Sequence, residues 1–155
     1  MDMSLITSLE KIRPIWLNVT LQTLARGIRV RENFQDELER FFNALEEVAK
    51  TGDSTWLDPI LLNWSTSLTE TDLENSQSNL IPILRQIVNI TYNICRENLD
   101  DQEALSIIDA LLPSFIYIFE KASQYELQVR INYISGQLSQ AQQSLEKLER
   151  SKSDF

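Results

Sequence analysis

The sequence predicts an all-α protein in which a helical bundle continues into a long C-terminal coiled-coil helix. Three glycines and four prolines in 155 residues supply too few turns for a sandwich or barrel of many short strands. Apolar residues recur every three to four positions along most of the chain, which is the period of an amphipathic helix. From residue 127 onward the spacing alternates strictly between four and three, which is typical of a coiled coil.

The composition excludes most enzyme and cofactor classes. The chain contains no histidine and one cysteine, so it lacks the residues for His-ligated haem, His-based zinc sites, a Ser-His-Asp triad or an internal disulfide. Its formal net charge is −9, which is the wrong sign for binding phosphates. We therefore expect a non-catalytic domain with no cofactor, no metal and no nucleic-acid partner.

Residues 1–31 form a helical N-terminal segment whose charge differs from that of the remainder. Its bases are Lys11, Arg13, Arg26, Arg29 and Arg31, against the acids Asp2 and Glu10. We expect this basic segment to dock on the acidic remainder of the chain, with an anionic surface as the alternative. A proline inside a helix removes a backbone donor, so Pro14 is expected to kink or break the segment.

The N-terminal segment does not resemble a membrane anchor. Its longest uncharged stretch, Pro14 to Ala25, has twelve residues, several of them polar, whereas a bilayer requires ~20 apolar residues. Met1 to Leu9 lacks the continuous apolar run of a secretory signal. The prediction is a cytoplasmic protein without a membrane span, which a single cysteine fits.

The second helix has the clearest pattern in the chain. Its apolar residues are Phe34, Leu38, Phe41, Phe42, Leu45, Val48 and Ala49. Acidic residues and Lys50 occupy the opposite side, which indicates a surface helix with one buried face. Gly52 follows as a left-handed stop, and Asp53 or Ser54 is placed to cap the next helix.

A third helix is expected to begin near Ser54 or Asp58, because Asp58-Pro59 is a good N-cap and first-turn pair. Its predicted buried residues are Trp56, Ile60, Leu61, Trp64 and Leu68. The polar stretch from Thr69 to Asn79 is predicted to be a loop, with Ser78 as the cap of the next helix.

Two further helices complete the predicted bundle. Leu80 to Arg96 is apolar on more than one side, which places it in the middle of the bundle. A junction at Leu99-Asp100-Asp101 follows, with one of the two aspartates as a cap. The fifth helix is expected to kink near Ile108 to Leu112, ahead of Pro113. Its predicted stripe is Ala104, Ile108, Leu111, Phe115, Phe119 and Ala122.

The last segment carries an unbroken a/d seam. This seam consists of Leu127, Ile131, Ile134, Leu138, Ala141, Leu145 and Leu148. Its flanking e and g positions are mostly uncharged, so two identical parallel copies would meet little repulsion. A stripe of two residues in seven favours a contact between helices over a face on a globular core. We expect a homodimer through this helix; the alternative is that residues 127–150 fold back as the last helix of the domain.

These patterns divide the chain into three parts. Residues 1–31 are the N-terminal helical segment, 32–124 the helical bundle and 125–155 the coiled-coil linker. Phe155 falls on a d position with nothing after it, so we expect the chain to be cut before an output domain.

Two stretches resemble signalling proteins. Lys152-Ser153-Asp154-Phe155 resembles the tetrad that leads into the phosphotransfer domain of sensor histidine kinases, ahead of the phosphoacceptor histidine. Residues of about 32–130 look like the N-terminal sensor domain of RsbR-type stressosome co-antagonists. The likeness lies in the order of elements, including the Lys50-Thr-Gly-Asp53 turn, the Ile-rich helix with Arg85, Asp101-Gln-Glu-Ala-Leu105 and Tyr125. This resemblance implies a globin-like bundle without haem that serves as a signal input.

Five residues are candidates for an apolar pocket between helices: Trp16, Trp56, Trp64, Tyr92 and Cys95. Bundles place ligand sites between helices, and large aromatic residues at helical spacing are equally the usual material of a core. We expect Cys95 to be a buried, inert thiol, and Arg85 and Arg96 to pair with neighbouring acids.

The sequence favours a signal-input domain of a signal-transduction protein, and the resemblance implies a histidine kinase as the parent. A change in helix packing would alter the rotation or register of the coil and bias the output. The competing interpretation is a docking or scaffold module of stressosome type, which would bind a partner protein through an exposed apolar patch.

Overall fold

The computed structural model describes residues 3–27, 34–67 and 80–153. In chain order these residues form α1 (Met3–Gly27), α2 (Phe34–Thr51), a 3₁₀ helix (Ser54–Leu57), α3 (Asp58–Thr66), α4 (Leu80–Asn98) and α5 (Asp101–Ser153). The described ranges contain no β-strand. The predicted all-α class is confirmed, and so is the long C-terminal helix.

Helix α1 is one continuous wall of the bundle. It passes through Pro14 without a break, and Pro14 itself is exposed. Leu9, Ile12 and Trp16 of α1 are fully buried in contact with α2, α4 and α5. Residues 3–27 therefore share one hydrophobic core with the helices that follow.

Two ion pairs attach α1 to the acidic helices. Arg13 Nη1 lies 3.2 Å from Glu46 Oε1 on α2, and Lys11 Nζ lies 3.2 Å from Glu103 Oε2 on α5. The prediction that the basic first segment docks on the acidic remainder is confirmed for residues 3–27.

Helix α2 and its ending follow the predicted pattern. Six of its seven predicted apolar residues are buried and Ala49 is half-buried. Gly52 has φ 74, and its N–H donates to the Val48 carbonyl at 2.7 Å. The Asp53 carboxylate accepts the Thr55 N–H at 3.0 Å. The left-handed stop and the following cap are both confirmed.

The third helix begins with a 3₁₀ turn, and the prediction that Trp56 is buried is wrong. Trp56 is 48 % exposed, whereas Leu57 is fully buried. A 3₁₀ turn has about 3.0 residues per turn rather than 3.6, so it rotates side chains away from the positions of an α-helical pattern. Leu61 and Trp64 are buried as predicted.

The predicted N-cap role of Asp58 is also wrong. Asp58 is the first residue of α3, and the preceding Leu57 occupies the cap position. The Asp58 carboxylate instead accepts a hydrogen bond from the Tyr117 hydroxyl of α5 at 2.6 Å. The predictions for Leu68, for the loop 69–79 and for the Ser78 cap lie outside the described residues.

Helix α4 has one buried face, so the prediction of a helix in the middle of the bundle is wrong. Its fully buried residues include Leu84, Ile87 and Cys95. Ile81, Ile83, Val88 and Ile90 are only partly buried beside this face. The isoleucines widen the buried face of the helix, but they do not surround the helix. Polar residues such as Gln86 and Asn89 lie on the far side, exposed to solvent.

Helix α5 runs through Pro113 as a single helix of 53 residues. The Asp100 carboxylate caps it by accepting the Glu103 N–H at 2.7 Å. Its buried face is wider than the predicted stripe, because α5 packs against both α3 and α4. Ile107 and Ile118 are fully buried, whereas the predicted Ile108 and Phe119 are half-buried.

Candidate functional site: the exposed seam of the long helix

The seam faces solvent along its whole length. The exposed fractions are 58 % for Leu127, 46 % for Ile131, 55 % for Ile134, 62 % for Leu138, 59 % for Leu145 and 60 % for Leu148. Ala141 is also exposed. These values contradict the alternative in which residues 127–150 fold back on the bundle. A regular row of large apolar side chains in water is typical of an interaction surface.

The edges of the seam carry little charge. The e and g positions from residue 130 to 151 are Arg130, Ser135, Gln137, Gln142, Ser144, Glu149 and Ser151. Arg130 Nη2 lies 3.3 Å from Glu126 Oε1 on the same helix. One of the two charges beside the seam is thus already paired within the chain, so the seam can meet a second copy without strong repulsion.

Glu126 marks the point where α5 leaves the bundle. Its side chain is buried, with 4 % of the residue exposed. Oε2 accepts the backbone N–H of Leu80, the first residue of α4, at 3.2 Å. This contact fixes the end of α4 to the beginning of the seam. Glu126 was not among the residues predicted from the sequence; its signal was a Glu–Arg pair four residues apart at a position that continues the buried face of α5.

The five candidate pocket residues do not surround one cavity. Trp56 and Tyr92 are 48 % and 44 % exposed, whereas Trp16, Trp64 and Cys95 are buried. Phe41 fills the space between the two buried indoles. Its ring centroid lies 6.0 Å from that of Trp16 and 5.6 Å from that of Trp64, and both pairs are stacked. Trp16 and Trp64 are therefore ordinary core residues, as the alternative prediction stated.

The buried indoles are also hydrogen-bonded. Trp16 Nε1 donates to Thr91 Oγ1 at 2.9 Å, and Trp64 Nε1 donates to Glu37 Oε2 at 3.0 Å. Burial raises the pKa of the Cys95 thiol to about 11, so the reactive thiolate is scarce at neutral pH. This cluster fixes the packing of α1, α2, α3 and α4 rather than offering a reactive or open site.

A polar groove lies between the first turns of α1 and α5. It has a volume of about 420 Å³ and includes Ser8, Lys11, Asp100 and Glu103 in its lining. Ser8 Oγ donates to Glu103 Oε2 at 2.7 Å, and Lys11 pairs with the same oxygen. The Glu103 carboxylate thus pairs with both Ser8 and Lys11 across the groove. Among the described residues, no three His, Cys, Asp or Glu side chains are grouped to hold a metal ion.

An acidic pair lies at the contact of α1 with α2. Arg13 Nη1 is 3.2 Å from Glu46 Oε1 and 3.8 Å from Glu10 Oε1. Burial and the neighbouring Glu10 carboxylate raise the pKa of Glu46 to about 7, despite the opposing effect of Arg13. Glu46 therefore changes charge near neutral pH, at a position that the sequence indicated only as part of a solvated acidic face.

Helix α5 passes the length and composition test for a membrane-spanning segment. An 18-residue window between Asp101 and Lys152 has a mean hydropathy of 1.3, and 33 % of that window is buried. Leu111, Phe115 and Ile118 of α5 are core residues of the bundle. A core helix passes the same test, so the window by itself assigns no location.

The comparisons with known proteins add no relatives. No family model matches the chain, and no curated protein or solved structure matches it.

Proposed function

We propose that this chain is a cytoplasmic signal-input domain that dimerises through the seam and passes conformational change along α5 to an output domain. The single observation that carries the proposal is the exposure of the seam on a helix that is also a core element of the bundle. Fully buried Leu111 and the 62 % exposed Leu138 belong to the same unbroken helix. A rigid helix with one end in a packed core and the other in a paired coil couples the two.

The mechanism follows from how α5 is held. Protein cores and interfaces shift between discrete packings rather than deforming continuously. A repacking of α1 or α4 against α5 would therefore rotate or translate the helix. Glu126 supports this coupling, because it holds the first residue of α4 at the base of the coil. Two copies joined at the seam would then transmit the change as a rotation or a shift of register.

The nature of the output is proposed from the resemblances. The tetrad Lys152 to Phe155 favours a sensor histidine kinase, and the order of the helices favours a globin-like, haem-free input domain of the stressosome type. The chain has no histidine, so a phosphoacceptor histidine and the chemistry on it would belong to a domain outside these residues.

Sedimentation equilibrium of the full chain tests the proposal. We expect a dimer at tens of micromolar. The double variant Leu138→Glu/Leu145→Glu, which places charge at two seam positions, should be monomeric. The matched control is Ser139→Glu/Gln143→Glu, which adds the same charge at the outward b and f positions and should remain dimeric. A monomeric parent chain, or equal association of the two variants, would refute the proposed coil.

A docking or scaffold module is the second candidate function. Trp56 and Leu62 favour it, since they are 48 % and 47 % exposed on the 3₁₀ helix and α3, away from the seam. Tryptophan is among the most frequent anchor residues of protein interfaces. Native mass spectrometry of the purified chain separates the two functions: a retained small molecule would favour a ligand-sensing input, and its absence together with binding to a partner through Trp56 would favour docking.

A further inference from the structure

Helix α5 has a second exposed apolar row, which lies over the bundle. Leu105 is 60 % exposed, Leu112 is 51 % exposed and Ile116 is 56 % exposed. We call these three residues the outer stripe. They lie on the helix segment whose opposite face, with Ile107, Leu111 and Ile118, is fully buried. The bundle therefore leaves this side of α5 uncovered.

The outer stripe is aligned with the first residue of the seam. Leu105, Ile116 and Leu127 are eleven residues apart in turn. Eleven residues in three turns correspond to about 3.67 residues per turn, which is close to the 3.6 residues per turn of an α-helix. These side chains therefore lie on one line along the helix. Leu112 stands one turn before Ile116 on the same line. Between Ile116 and Leu127 the exposed positions near this line are the polar residues Glu120 and Ser123, and the apolar row resumes at Leu127 as the seam.

Opposite charges lie on the two sides of the outer stripe. Helix α3 meets α5 at Tyr117 and α4 meets it at Glu126, so these helices lie to either side of the stripe. At 100° per residue, Asp109 and Glu120 fall on the α3 side. Arg85 and Arg96 are eleven residues apart on α4, which places them on one exposed line of that helix.

These charges have no ion-pair partner within the described part of the chain, contrary to the expectation for the two arginines. The guanidinium of Arg96 lies over the Tyr92 ring at 5.8 Å. In a parallel two-fold pair, the α4 side of one copy meets the α3 side of the other. Arg85 and Arg96 would then approach Asp109 and Glu120 of the partner subunit. The charge pattern is self-complementary in this arrangement.

The large apolar side chains of the seam by themselves offer a modest area. Full burial of an aliphatic side chain removes about 100 Å² of apolar surface. The six large seam residues are 46 to 62 % exposed, so together they offer roughly 350 Å² per copy on that scale. A standard stable interface buries about 800 Å² per partner, counting polar and apolar atoms together. The e and g residues of the seam add part of the difference, and the outer stripe and its charged edges supply further area on the same helix.

We propose, on the basis of the proposed coiled coil, that the outer stripe binds a second copy of this chain. The two α5 helices then pair in parallel from Leu105 to Leu148, and the two bundles contact each other. In this arrangement the dimer interface includes the sensing bundle itself, so a change in the packing of α4 on α5 acts on the interface before it reaches the coil.

Disulfide cross-linking of the 155-residue chain tests the outer stripe separately from the seam. Three variants are compared under mild oxidation: Ile116→Cys on the outer stripe, Ile134→Cys on the seam, and Ile15→Cys as a control. Ile15 is 38 % exposed on α1, and α1 meets α5 at Glu103, on the side of α5 that faces away from the outer stripe. Cys95 is buried and contributes little background. We expect Ile116→Cys and Ile134→Cys to cross-link at least ten-fold faster than Ile15→Cys.

Each outcome decides between the two interfaces. Fast cross-linking at residue 134, with residue 116 no faster than the control, would overturn the outer stripe and leave the coil intact. Slow cross-linking at residue 134 would overturn the coil and this proposal with it. As a second measurement, Ile116→Glu should weaken dimerisation at least ten-fold with an unchanged helical circular dichroism spectrum, whereas Ile15→Glu should not. Equal dimer affinity of these two variants would overturn the outer stripe.

Discussion

Replacing Thr91 by valine tests the buried hydrogen bond that joins α1 to α4. Thr91 is 2 % exposed and Trp16 is fully buried. The Thr91 hydroxyl accepts the indole N–H at 2.9 Å and donates to the Ile87 carbonyl at 2.7 Å. Valine keeps the shape of threonine and removes the hydroxyl. The indole N–H would then be buried without an acceptor.

The expected loss follows from that unsatisfied donor. A buried polar group without a partner costs about 1–3 kcal/mol, and the added methyl group offsets part of it. We expect Thr91→Val to lower the free energy of unfolding by about 1–2 kcal/mol. Trp16→Phe removes the donor together with part of the ring, and its loss should be larger because of the cavity it creates.

A double-mutant cycle isolates the hydrogen bond from these other effects. In Trp16→Phe/Thr91→Val the donor and the acceptor are both absent, so the double variant should lose about 1 kcal/mol less than the sum of the two single losses. The assay is urea denaturation followed by circular dichroism at one fixed protein concentration, because dimerisation makes stability concentration-dependent. Losses that add within about 0.3 kcal/mol would show that this bond contributes nothing.

Three further predictions concern positions outside this bond. The pKa of Glu46 is raised from 4.5 to about 7 in the folded chain, so its contribution to stability is full below the unfolded pKa and is lost as the pH rises through about 7. Glu46→Gln should therefore flatten the fall in melting temperature between about pH 5 and pH 8, and an unchanged pH profile would contradict the burial of this carboxyl. Gly52→Ala should destabilise the bundle by about 1 kcal/mol, because a residue with a side chain is strained at φ 74. Gly136→Ala has open space around the added methyl group and should stabilise α5 by up to ~1 kcal/mol. Shifts of the same sign in the denaturation midpoints of the two variants would refute both predictions. Glu126→Ala should cost about 1–3 kcal/mol by leaving the Leu80 N–H unpaired, and thermal melts no different from those of the parent would show that Glu126 does not join α4 to α5.

Features set by neighbours in sequence were predictable. The stripe of α2, the positive φ at Gly52 and the cap at Asp100 each depend on residues within one or two helical turns. Short-range steric and hydrogen-bonding rules act at that distance, and the structure follows them.

Features set by distant residues were not predictable from local pattern. Asp58 precedes a proline, as an N-cap residue often does, but its carboxylate accepts a hydrogen bond from the hydroxyl of Tyr117, which is remote in sequence. Trp56 loses its expected burial because a 3₁₀ turn places Leu57 inward instead. Thr91 and Glu126 are polar residues whose burial depends on an indole from α1 and on the start of α4. No periodicity within their own helices specifies those partners.

The residues of the seam were predicted from the sequence, whereas the exposed stripe over the bundle was not. The narrow width of the seam distinguishes it from a core face, and its residues are indeed exposed. Its continuation across the bundle was missed, because Leu105 and Ile116 are aligned with Leu127 by steps of eleven residues rather than seven. Their exposure depends on how α3 and α4 pack beside α5, which is a property of the folded bundle.

A spin-label distance on the 155-residue chain tests the central claim most directly. Arg150 occupies an outward f position near the end of α5 and is exposed, so a label on Arg150→Cys reports on the pairing without disturbing the seam. A parallel dimer predicts one narrow distance of roughly 25 Å between the two labels, about the width of a coiled-coil pair. Pairing in the opposite direction would separate the labels by more than about 40 Å at a rise of 1.5 Å per residue. That longer distance, or the absence of any dipolar signal, would contradict the account.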